Sequence, residues 1–170
     1  KLRVMLKQRI LTAIILVPLL VAALFTLSIS WMTLIFAVFV AAAAWEWAGL
    51  SGLRRFSAKI VYVICLLLFG ALGMNVIPLQ DELIVSLLAA AVLWWLWASI
   101  ELISRPNVAK GMFETLAGRL VGGFLVLVPL WIASVHLLAT DDNRPRMLLF
   151  LFVLVWVADT AAYFAGSVMG

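Results

Sequence analysis

The chain has 170 residues, 67% of them hydrophobic and only 12% charged, with a net charge of +4. A soluble domain averages about 45–50% apolar and about 25% charged. The mean hydropathy of +1.23 and this charge deficit exclude an ordinary soluble enzyme and imply an integral membrane protein.

Six apolar segments of the length that crosses a bilayer follow one another: Ile10–Leu27, Met32–Leu50, Ile60–Ile77, Leu83–Ile103, Leu120–Ala139 and Met147–Met169. Their apolar runs are continuous rather than alternating, which predicts helices and not barrel strands. The fold class expected is all-α, a single polytopic transmembrane domain over residues 1–170. The first segment is too long for a typical signal-peptide core and no clear cleavage site closes it, so it reads as an uncleaved helix. Pro18 and Pro129 fall inside spans, where neighbouring helices or water re-satisfy the freed backbone groups.

Charge follows topology. Lys1, Arg3, Lys7 and Arg9 precede the first span; Arg54, Arg55 and Lys59 follow the second; Arg105, Lys110 and Arg119 follow the fourth. The opposite side holds Arg144 and Arg146 beside Asp141 and Asp142, with Asp81 and Glu82. Ten basic residues against two predict a cytoplasmic N-terminus. The same placement argues against a nucleic-acid partner despite a pI near 9.7. Trp45, Trp47, Trp94, Trp95 and Trp97 lie toward the cytoplasmic ends and read as interfacial belts. The link from Ser104 to Arg119 reads equally as a short interfacial helix or a solvated loop. Cys65, inside an apolar run, reads as a small buried hydrophobe, and His136 as an interfacial or packed side chain. Neither builds a metal site.

Three acids lie within the spans. By helical rise, Glu46, Glu101 and Asp159 sit about 21, 27 and 18 Å along their segments, all in the cytoplasmic half. Glu101 is near enough to the interface to be solvated. Glu46, in "AAAAWEWAGL", divides between structural pairing and function. Asp159 is the sharpest: a carboxylate at such depth costs about 3 kcal/mol even on lenient scales, so it is expected to face the bundle interior or a wet cavity. Asp159, Tyr163 and Gly166 share one helix face, and Ala158, Ala161, Ala162 and Ala165 keep the helix slim. A carboxylate, a phenol and a glycine suit a cation and phosphate oxygens; a buried Asp paired with an arginine is the structural alternative.

"VWVADTAAYFAGSVMG" resembles the W-x-A-D-[ST]-x-A-Y-x-x-G-x-x-x-G stretch of phosphatidate cytidylyltransferases, the CDP-diacylglycerol synthases, through Trp156, Ala158, Asp159, Thr160, Ala162, Tyr163, Gly166 and Gly170. "AAWEWAGLSG", "MLKQRILTAIILVPL" and "GRLVGGFLVLVPLW" are similar to three further family stretches, the last through Arg119, Gly123 and Pro129. The resemblance implies a multi-span enzyme of the bacterial inner membrane, its active side cytoplasmic. It implies Mg²⁺ as cofactor, CTP and phosphatidic acid as substrates, membrane lipids as surroundings and a homodimer as a possible assembly. It assigns Asp159 as a catalytic and metal residue, Tyr163, Thr160 and Arg119 as substrate-binding, and Glu46 as a cavity acid. The family's stretch rich in Lys, Asp, His-Gly-Gly and Asp-Arg is absent here. The resemblance therefore implies the N-terminal membrane portion of a longer enzyme, inactive by itself. Two other readings fit the residues alone. One is a non-catalytic scaffold or assembly subunit, suggested by the small-residue faces at 41–44 and 122–123; the other is an ion-coupled transporter with Glu46, Asp159 and Tyr163 along its path.

Overall fold

The protein is described by a computed structural model covering residues 2–76, 81–104, 112–139 and 144–169, with side chains in 2–13 and at a few helix ends not described. Among the described residues six α-helices follow in order: α1 (Leu2–Thr26), α2 (Ile29–Leu50), α3 (Phe56–Val76), α4 (Asp81–Ser104), α5 (Leu116–Ala139) and α6 (Arg144–Met169). No strand occurs among the described residues. Five helices are long and apolar enough to cross a membrane, and α1 adds the apolar stretch Ile14–Thr26. The chain is an all-α, polytopic integral membrane protein.

The chain divides into two compact units, Lys1–Met32 with Leu137–Gly170, and Thr33–His136. In the first, α1 and α6 are in contact. Little of α6 is enclosed: of its described side chains only Leu148 is buried.

The second unit is built on α5, which is more buried than any other candidate span. Helices α2 and α3 each bury a stripe at helical spacing. Within this unit the buried positions Phe36, Val40, Ala44 and Ala48 of α2 recur every fourth residue; on α3 they are Tyr62, Leu66 and Gly70. Lipid tails are as apolar as leucine, so packing and hydrogen bonds, not water exclusion, hold such helices together. Small residues let backbones approach. A β-carbon on Gly70 would fall 2.6 Å from Trp131 Cε3, so the Trp131 indole lies directly on the α3 backbone. Cys65, about 100° around α3 from buried Leu66, is exposed rather than buried as expected, because α3 turns only one face to the bundle.

The helix ends obey local chemistry. Thr115 caps α5: its Oγ1 accepts the Gly118 N–H at 3.0 Å, satisfying one of the first-turn donors. Before it, Met112–Glu114 form a single 3₁₀ turn. The expected link at 104–119 is thus resolved only at its end, and 105–111 lie outside the described residues. Helix α2 stops at a Schellman turn, with Leu53 N–H on Ala48 O at 2.9 Å and Gly52 N–H on Gly49 O at 3.0 Å. Gly52 takes a φ of 99°, which an L side chain resists.

Candidate functional site

The sequence-predicted residues fall in two places, one in each unit. Asp159, Thr160 and Tyr163 belong to α6; Glu46 and Arg119 belong to α2 and α5.

On α6, Asp159, Tyr163 and Gly166 share an arc as expected. All three are exposed, and a β-carbon on Gly166 would meet nothing within 4 Å. Among the described residues Asp159 has no hydrogen-bond or ion-pair partner. The arginine pairing considered as its structural alternative is not seen there. Nor does the side chain face a bundle interior, because the described neighbours of α6 leave this stretch uncovered. Tyr163 sets its ring edge-on to Phe164, centroids 5.8 Å apart. Thr160 Oγ1 donates to the Trp156 carbonyl at 2.7 Å, the back-bonding typical of a mid-helix threonine. Its proton is committed and its lone pairs stay free. Thr160 also borders a shallow apolar groove with Val153, Trp156, Val157, Ala161 and Phe164. Thus Thr160 lies about 100° around the helix from Asp159, beside rather than within the polar arc.

In the second unit the stretches "WEWAGLSG" and "GRLVGG" meet. Trp47 Nε1 donates to the Arg119 carbonyl at 2.8 Å, and Tyr62 Oη donates to the Leu120 carbonyl at 3.0 Å. A helical carbonyl has a second lone pair, so these bonds add to the ladder rather than break it. Gly123 makes the approach possible. A β-carbon there would fall 2.7 Å from both Cδ1 and Nε1 of Trp47 and would collide with the Tyr62 hydroxyl. Trp94 and Phe113 close over neighbouring Gly122, at 3.5 and 3.7 Å from its β-carbon position. Trp97 completes that aromatic group, 5.1 Å from Trp94 and 5.9 Å from Phe113. These tryptophans expected as interfacial belts are therefore also the packing between helices.

Glu46 is exposed between these anchors. Lys59 Nζ lies 5.2 Å from the Trp45 ring centroid. Arg119 is half-buried over the Gly52 turn, its Nη2 3.8 Å from the β-carbon position there. Its Nε is shielded and has no hydrogen-bond partner among the described residues. Tyr62 escaped the reading of the residues, and Lys59 entered it only as a topology charge. The glycine pair inside an apolar span was the available signal that something docks against α5, but it does not say what.

No three His, Cys, Asp or Glu side chains converge to hold a metal among the described residues. Asp159 alone still fits one ligand position for Mg²⁺, which takes one or two carboxylates and completes its shell with phosphate and water.

The fold and these sites define a polytopic helical membrane protein with an uncompensated carboxylate, Asp159, in one span and a basic helix junction at the end of another. The family model described as "Cytidylyltransferase family" matches residues 7–170. The chain belongs to the cytidylyltransferase family. It is 32% identical over 166 residues to a phosphatidate cytidylyltransferase of Pseudomonas aeruginosa, covering 98% of this chain and 59% of that protein. It is 30% identical over 179 residues to one of Haemophilus influenzae, covering 98% and 62%. The chain thus spans about three-fifths of the length of these relatives. No solved structure matches it.

Proposed function

We propose that these residues form the membrane portion of a phosphatidate cytidylyltransferase, which joins CTP to phosphatidic acid to make CDP-diacylglycerol and release pyrophosphate. In the reaction a lipid phosphate oxygen attacks the α-phosphorus of CTP as the bond to pyrophosphate breaks. Asp159 carries this reading: an exposed, unpartnered carboxylate within an apolar span, in a chain aligned over 98% of its length with relatives of that name. A lipid-facing carboxylate would be costly, so a wet cavity is its natural surrounding.

In this reading Asp159 would be a carboxylate ligand to Mg²⁺. When bound, Mg²⁺ offsets negative charge on the transferring phosphates. Tyr163, on the same arc, donates its phenolic hydrogen to a phosphate oxygen. Thr160 has its proton on the Trp156 carbonyl, so it serves as an acceptor, suited to a ribose hydroxyl or a water. In the other unit, Arg119 is the substrate-binding cation, suited to a lipid phosphate, and exposed Glu46 is the cavity acid. The active side lies at the cytoplasm of a bacterial inner membrane, supported by the ten-to-two division of basic residues. The homodimer implied by the resemblance belongs to the same proposal.

The test is CDP-diacylglycerol formation from CTP, phosphatidic acid and Mg²⁺ by the enzyme that carries these residues. Outer-shell changes at metal sites already cost about 10–100-fold, so Asp159→Asn lowers turnover at least about tenfold with helix content unchanged. Wild-type turnover in that variant returns Asp159 to a structural role.

A further inference from the structure

The junction between α2 and α3 gathers four cations. Arg54 and Arg55 are exposed in the connection, Lys59 stands in the first turn of α3, and Arg119 reaches over Gly52 from α5. No acid lies between Ser51 and Lys59, and the first turn of α3 has none. None of the four pairs with a carboxylate among the described residues; exposed Glu46 makes no such bond either.

Two ordinary explanations fall short. Basic side chains can compensate the negative end of a helix dipole. Here the last carbonyls of α2 are already taken: Trp47 O by Ser51 N–H, Ala48 O by Leu53 N–H, Gly49 O by Gly52 N–H. The Arg119 guanidinium gains no carbonyl there, and its Nε stays shielded without a partner. Basic residues also set topology, but a topogenic charge needs only water and has no reason to be half-buried over a turn. Four cations gathered at one junction, with no acid pairing them among the described residues, call for an anion.

The surroundings indicate which anion. Leu50 is 86% exposed and Phe56 69% exposed, on either side of the turn. Phe56 meets Trp45 edge-on at 5.2 Å, and Lys59 lies against the same indole. Cations beside uncovered apolar side chains, at the ends of two candidate membrane spans, match an amphiphile. Phosphate meets the arginines and lysine, and acyl chain meets Leu50 and Phe56.

We propose that the α2–α3 junction is a docking site for the phosphate of a net-anionic phospholipid, held by Arg54, Arg55, Lys59 and Arg119. The site shares Arg119 with the function proposed above and needs none of its nucleotide chemistry. The lipid is retained whether or not the chain turns anything over.

The experiment is native mass spectrometry of the enzyme that carries these residues. It is loaded in neutral detergent with equal phosphatidylglycerol and phosphatidylcholine, without CTP or Mg²⁺. Phosphatidylglycerol is retained preferentially, and each cation removed lowers the ratio by about fivefold, the worth of one basic residue at an anionic surface. Arg119→Gln shows this loss. The double variant Arg54→Gln/Arg55→Gln removes two cations and lowers the ratio about twenty-five-fold; it carries the test if Arg119→Gln does not fold, because both of its side chains are exposed. Asp159→Asn keeps the wild-type ratio. An excess of inorganic phosphate leaves the lipid bound. Equal retention of the two lipids, an unchanged ratio in the basic variants, loss of the preference in Asp159→Asn, or displacement by inorganic phosphate overturns the proposal. Loss of transferase activity in Asp159→Asn bears only on the proposed reaction.

Discussion

Replacing Gly123 by alanine tests the packing of the second unit at its tightest point. The new β-carbon would sit 2.7 Å from two atoms of the Trp47 indole and would collide with the Tyr62 hydroxyl. Neither ring can give way at its end, because both are rigid and both are tethered to α5 by a hydrogen bond. The substitution therefore displaces two bonds at once. Hydrogen bonds between membrane helices average about 0.6 kcal/mol and reach about 1.7, so the pair contributes roughly 1–3 kcal/mol. Overpacking adds about 1–3 kcal/mol. Alanine returns about 1 kcal/mol of helix propensity. The net loss is about 3 kcal/mol on these figures. Gly122 is the internal control: its nearest neighbour, Trp94, would be 3.5 Å from the added carbon, an ordinary contact. Gly122→Ala should be neutral or stabilising by up to about 1 kcal/mol. Steric trapping or reversible unfolding in mixed micelles measures both variants. Equal stability of Gly123→Ala and Gly122→Ala would refute the claim that Trp47 and Tyr62 lie on the α5 backbone.

Two further substitutions probe backbone approach and conformation. Gly70→Ala places a carbon 2.6 Å from Trp131 Cε3 and lowers stability by about 1–3 kcal/mol; Trp131→Leu in the same chain relieves most of the loss, read by the same unfolding assay. Gly52→Ala forces an L side chain to a φ of 99° and costs about 1–2 kcal/mol, while Gly52→Asn costs less, which melting temperatures in detergent will rank.

The helices were legible because continuous apolar runs and charged punctuation leave few alternatives in lipid. Their ends were less so. Helix α3 begins at Phe56, four residues before the expected Ile60, because Phe56, Ser57 and Ala58 continue the helix inside a stretch read as a basic link. The arc of Asp159, Tyr163 and Gly166 followed from helical spacing alone. Its exposure did not, since no single helix reveals what lies opposite it. Contacts distant along the chain were also hidden. Trp47 looked like a belt residue and Gly123 a small-residue face. That one indole donates to the Arg119 carbonyl 72 residues away depends on how α2 and α5 are brought together, which spacing within each helix does not encode. Arg119 was singled out only through family likeness. Its place over the Gly52 turn explains why a basic residue at the start of α5 bears on the end of α2.

The most direct measurement is the Mg²⁺ dependence of CDP-diacylglycerol formation by the enzyme carrying these residues, in wild type and in Asp159→Asn, with Asp159→Glu as the conservative control. If Asp159 is a metal ligand, Asp159→Asn needs at least about tenfold more Mg²⁺ for half-maximal turnover, and Asp159→Glu recovers part of the loss. An unchanged Mg²⁺ requirement at wild-type turnover in Asp159→Asn would contradict the account.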